Sequence, residues 1–269
     1  MELRGATAVI TGASSGIGEA TALAFARRGT RVVLAARRLD RLEELAARIQ
    51  SHGGTALAVR CDVGEPEQVA ALPVVVREAF GGCDVLVNNA GIPGGGAFAE
   101  LSLEQIEEVV RVNLLGVLYG TRTFWPAMTA QGRGHVVNVA SLAGRFATPG
   151  ASVYSATKHA VVAFGESLQL TAGPVLVTTV LPGFIPTEGF SGAGPSILRV
   201  TAEQVAQAIV GAVIADTSGE IFVPGWIRPL ELFRVVTPGL FHRAVAAGAR
   251  AGSWRPSGRG GGTRPDAHP

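Results

Sequence analysis

Short apolar runs alternate with helical stretches along most of the chain, and this alternation constrains the fold most strongly. The runs are continuous rather than broken by polar residues: Ala6–Ile10, Arg31–Ala36, Ala56–Arg60, Val85–Val87, His135–Val139, Val175–Leu181 and Glu220–Val223. Such runs are typical of strands that are buried on both faces of a parallel sheet. Helical patterns lie between them, for example Ile17–Arg28, Asp40–Gln50 and Glu65–Phe80. The sequence therefore predicts an α/β fold, a doubly wound parallel sheet with helices on both faces.

Length and composition favour one domain and argue against several classes of protein. The 269 residues are 47% hydrophobic and 16% charged, which suits a single α/β domain, and a formal charge of +2 is too small to indicate nucleic-acid binding. Cys61 and Cys83 lack metal-ligand spacing, so we expect no metal and no disulfide. The sequence shows no signal peptide, and glycine and proline break its longest uncharged run. A cytoplasmic protein is therefore expected.

The link after the first strand, Thr11–Gly18, reads TGASSGIG and opens the first helix. Gly12 and Gly16 let the backbone approach a pyrophosphate, and Gly18 permits close helix packing. The helix N-terminus adds free N–H groups and the positive end of its dipole. This link follows the first strand of a βαβ series, so it predicts a dinucleotide site, although its spacing is G-x-x-x-G-x-G rather than G-x-G-x-x-G.

The end of the second strand bears on the choice of cofactor. A free ribose 2′-hydroxyl is normally met by an acidic residue there, but this chain has Ala36 followed by Arg37 and Arg38. The planar guanidinium of Arg37 matches the oxygens of a 2′-phosphate, so NADP is favoured over NAD. The alternative is that both arginines are solvated loop residues.

Polar residues also follow the third, fourth and fifth strands. Asp62-Val63 and the run from Asn88 to Gly91 could bond an adenine edge and tie neighbouring loops together, or they could be turns and helix caps. Ser141 ends the fifth strand, where a cap is again the alternative to a catalytic role.

Tyr154 and Lys158 stand four residues apart, so on a helix they share one face. Lys158 is the one lysine among 23 basic residues. Lowering a phenol pKa from about 10 to near 7 takes roughly 4 kcal/mol. A cation at about 4 Å supplies roughly that much at an effective dielectric constant near 20. The pair therefore predicts a proton-transfer device in which Lys158 lowers the pKa of Tyr154. The alternative is a chance spacing, because Tyr and Lys four residues apart also occur on many solvated helices.

These motifs together resemble the classical short-chain dehydrogenases/reductases. The resemblance rests on TGASSGIG, NNAG at Asn88–Gly91, Asn113, Ser141, Tyr154-x-x-x-Lys158 and Pro182-Gly183 followed by Thr187, in that order along about residues 5–225. It implies a Rossmann fold and an NADP-dependent oxidoreductase that interconverts an alcohol and a carbonyl. It also implies a homodimer or homotetramer, paired through the helix of Tyr154 and Lys158, whose outer face would include Ala156, Ala160, Ala163 and Phe164.

The resemblance also implies roles for individual residues. Tyr154 would be the general acid/base, Ser141 would bond the substrate carbonyl, Lys158 would hold the nicotinamide ribose, and Asn113 would anchor a water that links Lys158 to solvent. The implied cofactor-binding set also includes Thr11, Gly12, Ser14, Ser15, Gly16, Ile17, Gly18, Arg37, Arg38, Asp62, Val63, Asn89, Ala90, Gly91, Pro182, Gly183, Ile185 and Thr187.

The substrate end of the site and the C-terminus are less constrained by sequence. Phe146, Phe184, Ile185 and Phe190 indicate a substrate with hydrophobic bulk, although each could be a core residue. We expect a catalytic domain over residues 1–228, two amphipathic helices over residues 229–252, and a disordered tail over residues 253–269. The helices are expected to pack over the substrate entrance or a neighbouring subunit, and contact with an anionic membrane is the less favoured alternative.

Two other functions remain open at this stage. A nucleotide-binding regulator could keep the fold without turnover, but it would not need Asn113, Ser141, Tyr154 and Lys158. An epimerase or dehydratase of the related extended group also uses Y-x-x-x-K, although its glycine spacing is usually G-x-x-G-x-x-G.

Overall fold

The protein forms a seven-stranded parallel sheet in a computed structural model that describes residues 1–171, 173–185 and 196–250, the side chains of 248–250 excepted. The strands are β1 (Thr7–Thr11), β2 (Arg31–Ala36), β3 (Thr55–Arg60), β4 (Val85–Asn88), β5 (Gly134–Val139), β6 (Val175–Pro182) and β7 (Gly219–Val223). They lie in the order β3-β2-β1-β4-β5-β6-β7. The predicted doubly wound parallel sheet is confirmed, and each predicted strand is present with ends that differ by at most one residue.

Helices cover both faces of this sheet. They are α1 (Gly16–Ala26), α2 (Leu39–Ser51), α3 (Pro66–Phe80), α4 (Leu103–Val110), α5 (Gly116–Ala130), α6 (Ser152–Gln169), α7 (Ala202–Ile214), α8 (Arg228–Val236) and α9 (Pro238–Arg250). A π-helical turn, Arg111–Leu115, joins α4 to α5. Among the residues described, no helix is both long enough and apolar enough to cross a bilayer.

Two apolar layers fill the space between sheet and helices, which explains the continuous apolar runs. Ile10 and Leu34 pack with α1, α2 and α7 on one face, whereas Val9 and Val33 pack with α3 and α5 on the other. Because successive side chains of a strand point to opposite faces, a strand covered on both sides must be apolar at every position.

The strand order reverses at β1, which pairs with β2 on one side and with β4 on the other. The chain leaves β1 toward one edge of the sheet and returns at β4 to build the other edge. The links after these two strands therefore diverge, and a crevice opens between them at the carboxyl ends of the strands. This is where the sequence motifs collect.

A buried histidine lies at the start of β5. The Nε2 atom of His135 is 2.7 Å from Oγ1 of Thr178, and that hydroxyl donates to the carbonyl of Thr217. Nε2 must then donate to Thr178, while Nδ1 has no hydrogen-bond partner in the described part of the chain. A second proton on Nδ1 would create a buried charge without an acceptor. Burial accordingly lowers the pKa of His135 to about 4.

We predict that His135 makes the fold acid-sensitive. In the unfolded chain this imidazole takes up a proton near pH 6.5, whereas in the folded protein it resists protonation until about pH 4. Stability is therefore retained above pH 6.5 and lost as the pH falls toward 4, by about 2 to 3 kcal/mol from this group. His135→Gln keeps a donor for Thr178 and removes the titration. Urea unfolding at pH 7 and pH 4.5 should show a smaller pH dependence for the variant, and equal pH dependences would contradict the prediction.

Candidate active site

A cavity of about 650 Å³ lies at the carboxyl ends of the strands. Most of the residues predicted from sequence line it: Gly12, Ser14, Ser15, Gly16, Ile17, Arg37, Arg38, Asp62, Val63, Asn89, Ala90, Gly91, Ser141, Tyr154, Lys158, Pro182, Gly183 and Ile185. Thr11, Gly18 and Asn113 are not in its lining, and Thr187 falls outside the described residues.

The glycine-rich loop forms one end of the cavity, and its geometry suits a pyrophosphate. Gly12 has a φ of +66°, and a Cβ atom there would lie 2.8 Å from Cα of Ala90. A Cβ on Gly18 would overlap the carbonyl oxygen of Gly12. Ser15 precedes α1 without a side-chain cap among the described contacts, so the first-turn N–H groups remain available to an anion.

Thr11 and Asn89 hold this loop against the end of β4. Oγ1 of Thr11 accepts from the backbone N–H groups of Asn89 and Ala90 at 3.0 and 3.1 Å. In return, Nδ2 of Asn89 donates to the carbonyl of Thr11 at 2.8 Å. The Thr11 hydroxyl is buried and bonded to the link after β4. Thr11 therefore holds the glycine-rich loop in place and does not line the cavity. The loop-tying role considered for Asn89 is present in the structure.

Two guanidinium groups stand at the end of β2. Arg38 donates from Nε and Nη2 to Oγ of Ser14, at 3.2 and 3.1 Å, and from Nη2 to Oγ of Ser15 at 2.9 Å. The side chain of Arg37 is 58% exposed, and its Nη1 lies 4.0 Å from the carboxylate of Glu108, a contact too long and too solvated to fix the side chain. The sequence favoured Arg37 as the phosphate partner, and the structure adds Arg38 as the arginine bound to the glycine-rich loop.

Ser141, Tyr154 and Lys158 meet in the middle of the cavity. Ser141 caps the short turn Leu142–Gly144, and its hydroxyl is hydrogen-bonded to Tyr154 in the first turn of α6. One turn later, Lys158 is only 4% exposed. Its Nζ donates to the carbonyl of Val139 at 3.0 Å and lies 5.7 Å from the centre of the Tyr154 ring.

The predicted lowering of the phenol pKa is wrong for this structure. Burial raises the pKa of Tyr154 to about 12, and the hydrogen bond with Ser141 offsets this only in part. Burial also lowers the pKa of Lys158 to about 8. The physical reason is that the ammonium group is bound to the Val139 carbonyl and lies over the ring, while removal of water destabilises the phenolate.

Asn113 lies behind this centre, in the π-helical turn. It is fully buried, and its side chain pairs with the backbone of Ile92, with Nδ2 to O at 2.9 Å and N to Oδ1 at 2.7 Å. A Cβ placed on Gly91 would be 3.3 Å from Oδ1 of Asn113 and 3.5 Å from Nζ of Lys158. Asn113 therefore anchors the link after β4, which runs past Lys158.

The C-terminal helices close the other end of the cavity. Ile227, Leu230, Phe241 and Val245 line it together with Phe146, whose ring centre is 5.7 Å from that of Phe241. Phe146, Phe184 and Ile185 were predicted from sequence as pocket residues, and Phe190 falls outside the described residues. The two expected helices are present, and side chains of both line the cavity.

Arg145, which no sequence motif indicated, joins α8 to the turn that begins at Ser141. Arg145 follows the turn that begins at Ser141, and its guanidinium forms ion pairs with Glu220 of β7, Glu231 of α8 and Glu166 of α6. The Glu231 and Glu166 pairs measure 3.2 and 3.4 Å. The hydrogen bond with Glu220 raises the pKa of Arg145 further. The only sequence signal was a single arginine in an apolar segment.

Comparisons with known proteins agree with this geometry. The short chain dehydrogenase family profile matches residues 6–195. The mouse protein Dehydrogenase/reductase SDR family member 7B is 31% identical over 266 residues, which is 92% of this chain and 82% of the relative.

Two solved structures are also similar. A short chain dehydrogenase/reductase from Burkholderia phymatum in complex with NAD has a TM-score of 0.81 at 32% identity, covering 89% of this chain and 96% of its own. A point variant of actinorhodin polyketide ketoreductase with NADPH has a TM-score of 0.75 at 33% identity, covering 81% of this chain and 95% of its own. These neighbours support a nicotinamide cofactor for this protein. The family match, the relatives and the fold agree, and the chain belongs to the short chain dehydrogenase family of oxidoreductases.

Proposed function

We propose that this enzyme is an NADP(H)-dependent oxidoreductase that interconverts an alcohol and a carbonyl, with Tyr154 as the general acid/base. The observation that carries the proposal is the hydrogen-bonded pair of Ser141 and Tyr154 in the same cavity as the glycine-rich loop. A regulator that only bound nucleotide would have use for the loop but not for this pair.

The pair suits carbonyl reduction at neutral pH. A bound nicotinamide cofactor would supply the hydride, and negative charge would then grow on the substrate oxygen. Hydroxyl donors from Tyr154 and Ser141 stabilise that charge more in the transition state than in the ground state. Because burial raises the pKa of Tyr154 to about 12, the phenol is protonated and ready to donate at pH 7. Lys158 is protonated below about pH 8 and lies beside the ring. Its positive charge therefore stabilises the phenolate that Tyr154 becomes after it has donated its proton.

The preference for NADP(H) is supported by the charge at the end of β2. Ala36 offers no carboxylate to repel a 2′-phosphate, and Arg37 and Arg38 both border the cavity. The two similar solved structures carry NAD and NADPH respectively, so the preference of this enzyme must be measured directly.

The substrate is proposed to carry hydrophobic bulk. The end of the cavity beyond Ser141 is walled by apolar side chains from residues 1–228, which we take as the catalytic domain, and from the helical extension over 229–252. Phe146 and Phe241 form the aromatic part of this wall. Assembly into a homodimer or homotetramer through α6 is also proposed, since Ala156 and Ala163 are exposed and small enough for close helix approach.

Replacing Tyr154 tests the mechanism. Tyr154→Phe removes the proton donor but keeps the ring over which Lys158 lies. We expect kcat to fall by at least about 10²-fold while NADPH affinity is retained. Tyr119→Phe, at the other tyrosine, is the matched control and should keep parental turnover. Near-parental turnover of Tyr154→Phe would remove this residue from the mechanism.

Replacing the two arginines tests the cofactor preference. Arg37→Ala should weaken NADPH binding about tenfold or more and leave NADH binding nearly unchanged, because it removes a charge-assisted bond of about 1.5 to 3 kcal/mol. Arg38→Ala should weaken both cofactors, since Arg38 also holds Ser14 and Ser15. Arg77→Ala on α3 serves as the charge control. Calorimetric titration measures each affinity, and equal affinity of the parent for NADPH and NADH would refute the preference.

Replacing Phe241 tests the apolar wall. Burial of a large apolar side chain is worth about 1.5 to 3 kcal/mol, so Phe241→Ala should raise KM for ketones with bulky apolar groups about tenfold or more. The rate with a small ketone and the affinity for NADPH should change little. Leu240→Ala, at the exposed neighbouring position, is the control, and melting curves verify that both variants are folded. Equal effects on small and bulky ketones would argue against this wall as a substrate contact.

A further inference from the structure

The helices α8 and α9 carry a second apolar surface that does not contribute to the cavity. Leu232, Val235 and Val236 of α8 and Leu240 of α9 are 59 to 68% exposed. We call these four residues the outer face. Leu232, Val235 and Val236 are three and four residues apart and therefore share one side of α8. Leu230, which lines the cavity, lies on the opposite side of the helix, so the outer face is not explained by the packing described above.

Basic side chains border this surface. Arg228 stands one turn before Leu232 on the same side of α8, and Arg243 stands three residues after Leu240 on α9. Both are exposed, and neither forms an ion pair among the residues that the structure describes. Glu231 is the one acidic residue of α8 and α9, and it is engaged by Arg145 and Arg234. The outer face therefore has cations at its border and no free carboxylate on its own helices.

Basic residues are also concentrated toward the C-terminus in the sequence of the whole chain. Seven of the 23 basic residues and only two of the 21 acidic residues lie in residues 225–269. That segment carries a formal charge of +5, whereas residues 1–224 carry −3. The near-neutral total conceals a basic C-terminal segment, and α8 and α9 with their exposed apolar residues are part of that segment.

We propose that the outer face of α8 and α9 docks on an anionic lipid surface. A helix that lies in a membrane interface buries its apolar side in the headgroup region and places Arg at the level of the anionic headgroups. Leu232, Val235 and Leu240 supply the apolar contact, and Arg228 and Arg243 supply the electrostatic attraction. The opposite sides of the same two helices form the cavity wall, so docking places the apolar end of the cavity within about one helix diameter, roughly 10 Å, of the lipid.

The charge pattern argues against a second copy of the chain as the occupant. In a two-fold symmetric contact the same patch meets itself, so Arg228 and Arg243 of both copies would be brought together. Glu231, the one acidic residue on α8 and α9, is already bound to Arg145. An anionic bilayer matches both the apolar centre and the basic border.

Co-sedimentation of the full chain with vesicles tests the proposal. We expect binding to vesicles of phosphatidylcholine with phosphatidylglycerol, weaker binding to phosphatidylcholine alone, and loss of binding at high salt. The triple variant Leu232→Ser, Val235→Ser, Leu240→Ser should lower the partition coefficient at least about tenfold. Leu103→Ser is the matched control, because Leu103 is 73% exposed on α4 among Glu104, Glu107 and Glu108, and it should bind like the parent.

A charge variant separates the electrostatic contribution to vesicle binding from the apolar one. Arg228→Gln combined with Arg243→Gln should weaken the preference for phosphatidylglycerol and reduce the dependence of binding on salt. The proposal is overturned if the parent does not bind, or if the triple variant binds like the parent. It is also overturned if light scattering shows that the triple variant dissociates an oligomer while neither protein binds vesicles, which would identify a second copy as the occupant. Vesicle binding is measured without turnover, so it can fail or succeed independently of the proposed oxidoreductase activity.

Discussion

The site depends on the hydrogen bonds that join the carboxyl ends of β1 and β4. The reversal of strand order at this point opens the crevice, but it also leaves backbone N–H groups of the β4 link without strand partners. Thr11 accepts two of them, and Asn89 donates back to the carbonyl of Thr11. The glycine-rich loop and the link after β4 are thereby held as one unit. Two residues further along, Ile92 is fixed by Asn113, and the same link passes beside Lys158.

Burial sets the protonation states in the middle of this crevice. Removal of water disfavours the charged form of each group, so it raises the pKa of Tyr154 and lowers that of Lys158. The two shifts have one cause and opposite signs, so a neutral phenol lies near an amine that loses its proton more readily than usual, with Nζ 5.7 Å from the ring centre. This combination disfavours permanent ionisation of the phenol. It is compatible with the proposed mechanism, in which Tyr154 donates a proton and has to recover it.

The sequence predicted the fold well because the fold follows from local rules. Strands that are buried on both faces have to be apolar throughout, so their limits were visible to within one residue. The glycine-rich loop was equally visible, because Gly12 and Gly18 stand where a Cβ would collide with neighbouring backbone. The pKa of Tyr154 was not predictable in this way. The spacing to Lys158 shows that both groups share a helix face, but it does not show that Nζ bonds to the carbonyl of Val139.

Long-range contacts at the C-terminus exceeded what sequence patterns can show. The acids that bind Arg145 come from α6, β7 and α8, and only the fold brings them to one guanidinium. That cluster holds α8 in one orientation, since Glu231 faces Arg145 while Leu230 faces the cavity. With this orientation fixed, Leu232 has to point outward, because it is two residues beyond Leu230 and thus on the other side of the helix. From the sequence, packing over the cavity and contact with a membrane were alternatives for this segment. In the structure one side of α8 packs against the fold and the other side is exposed, so the two interactions do not exclude each other.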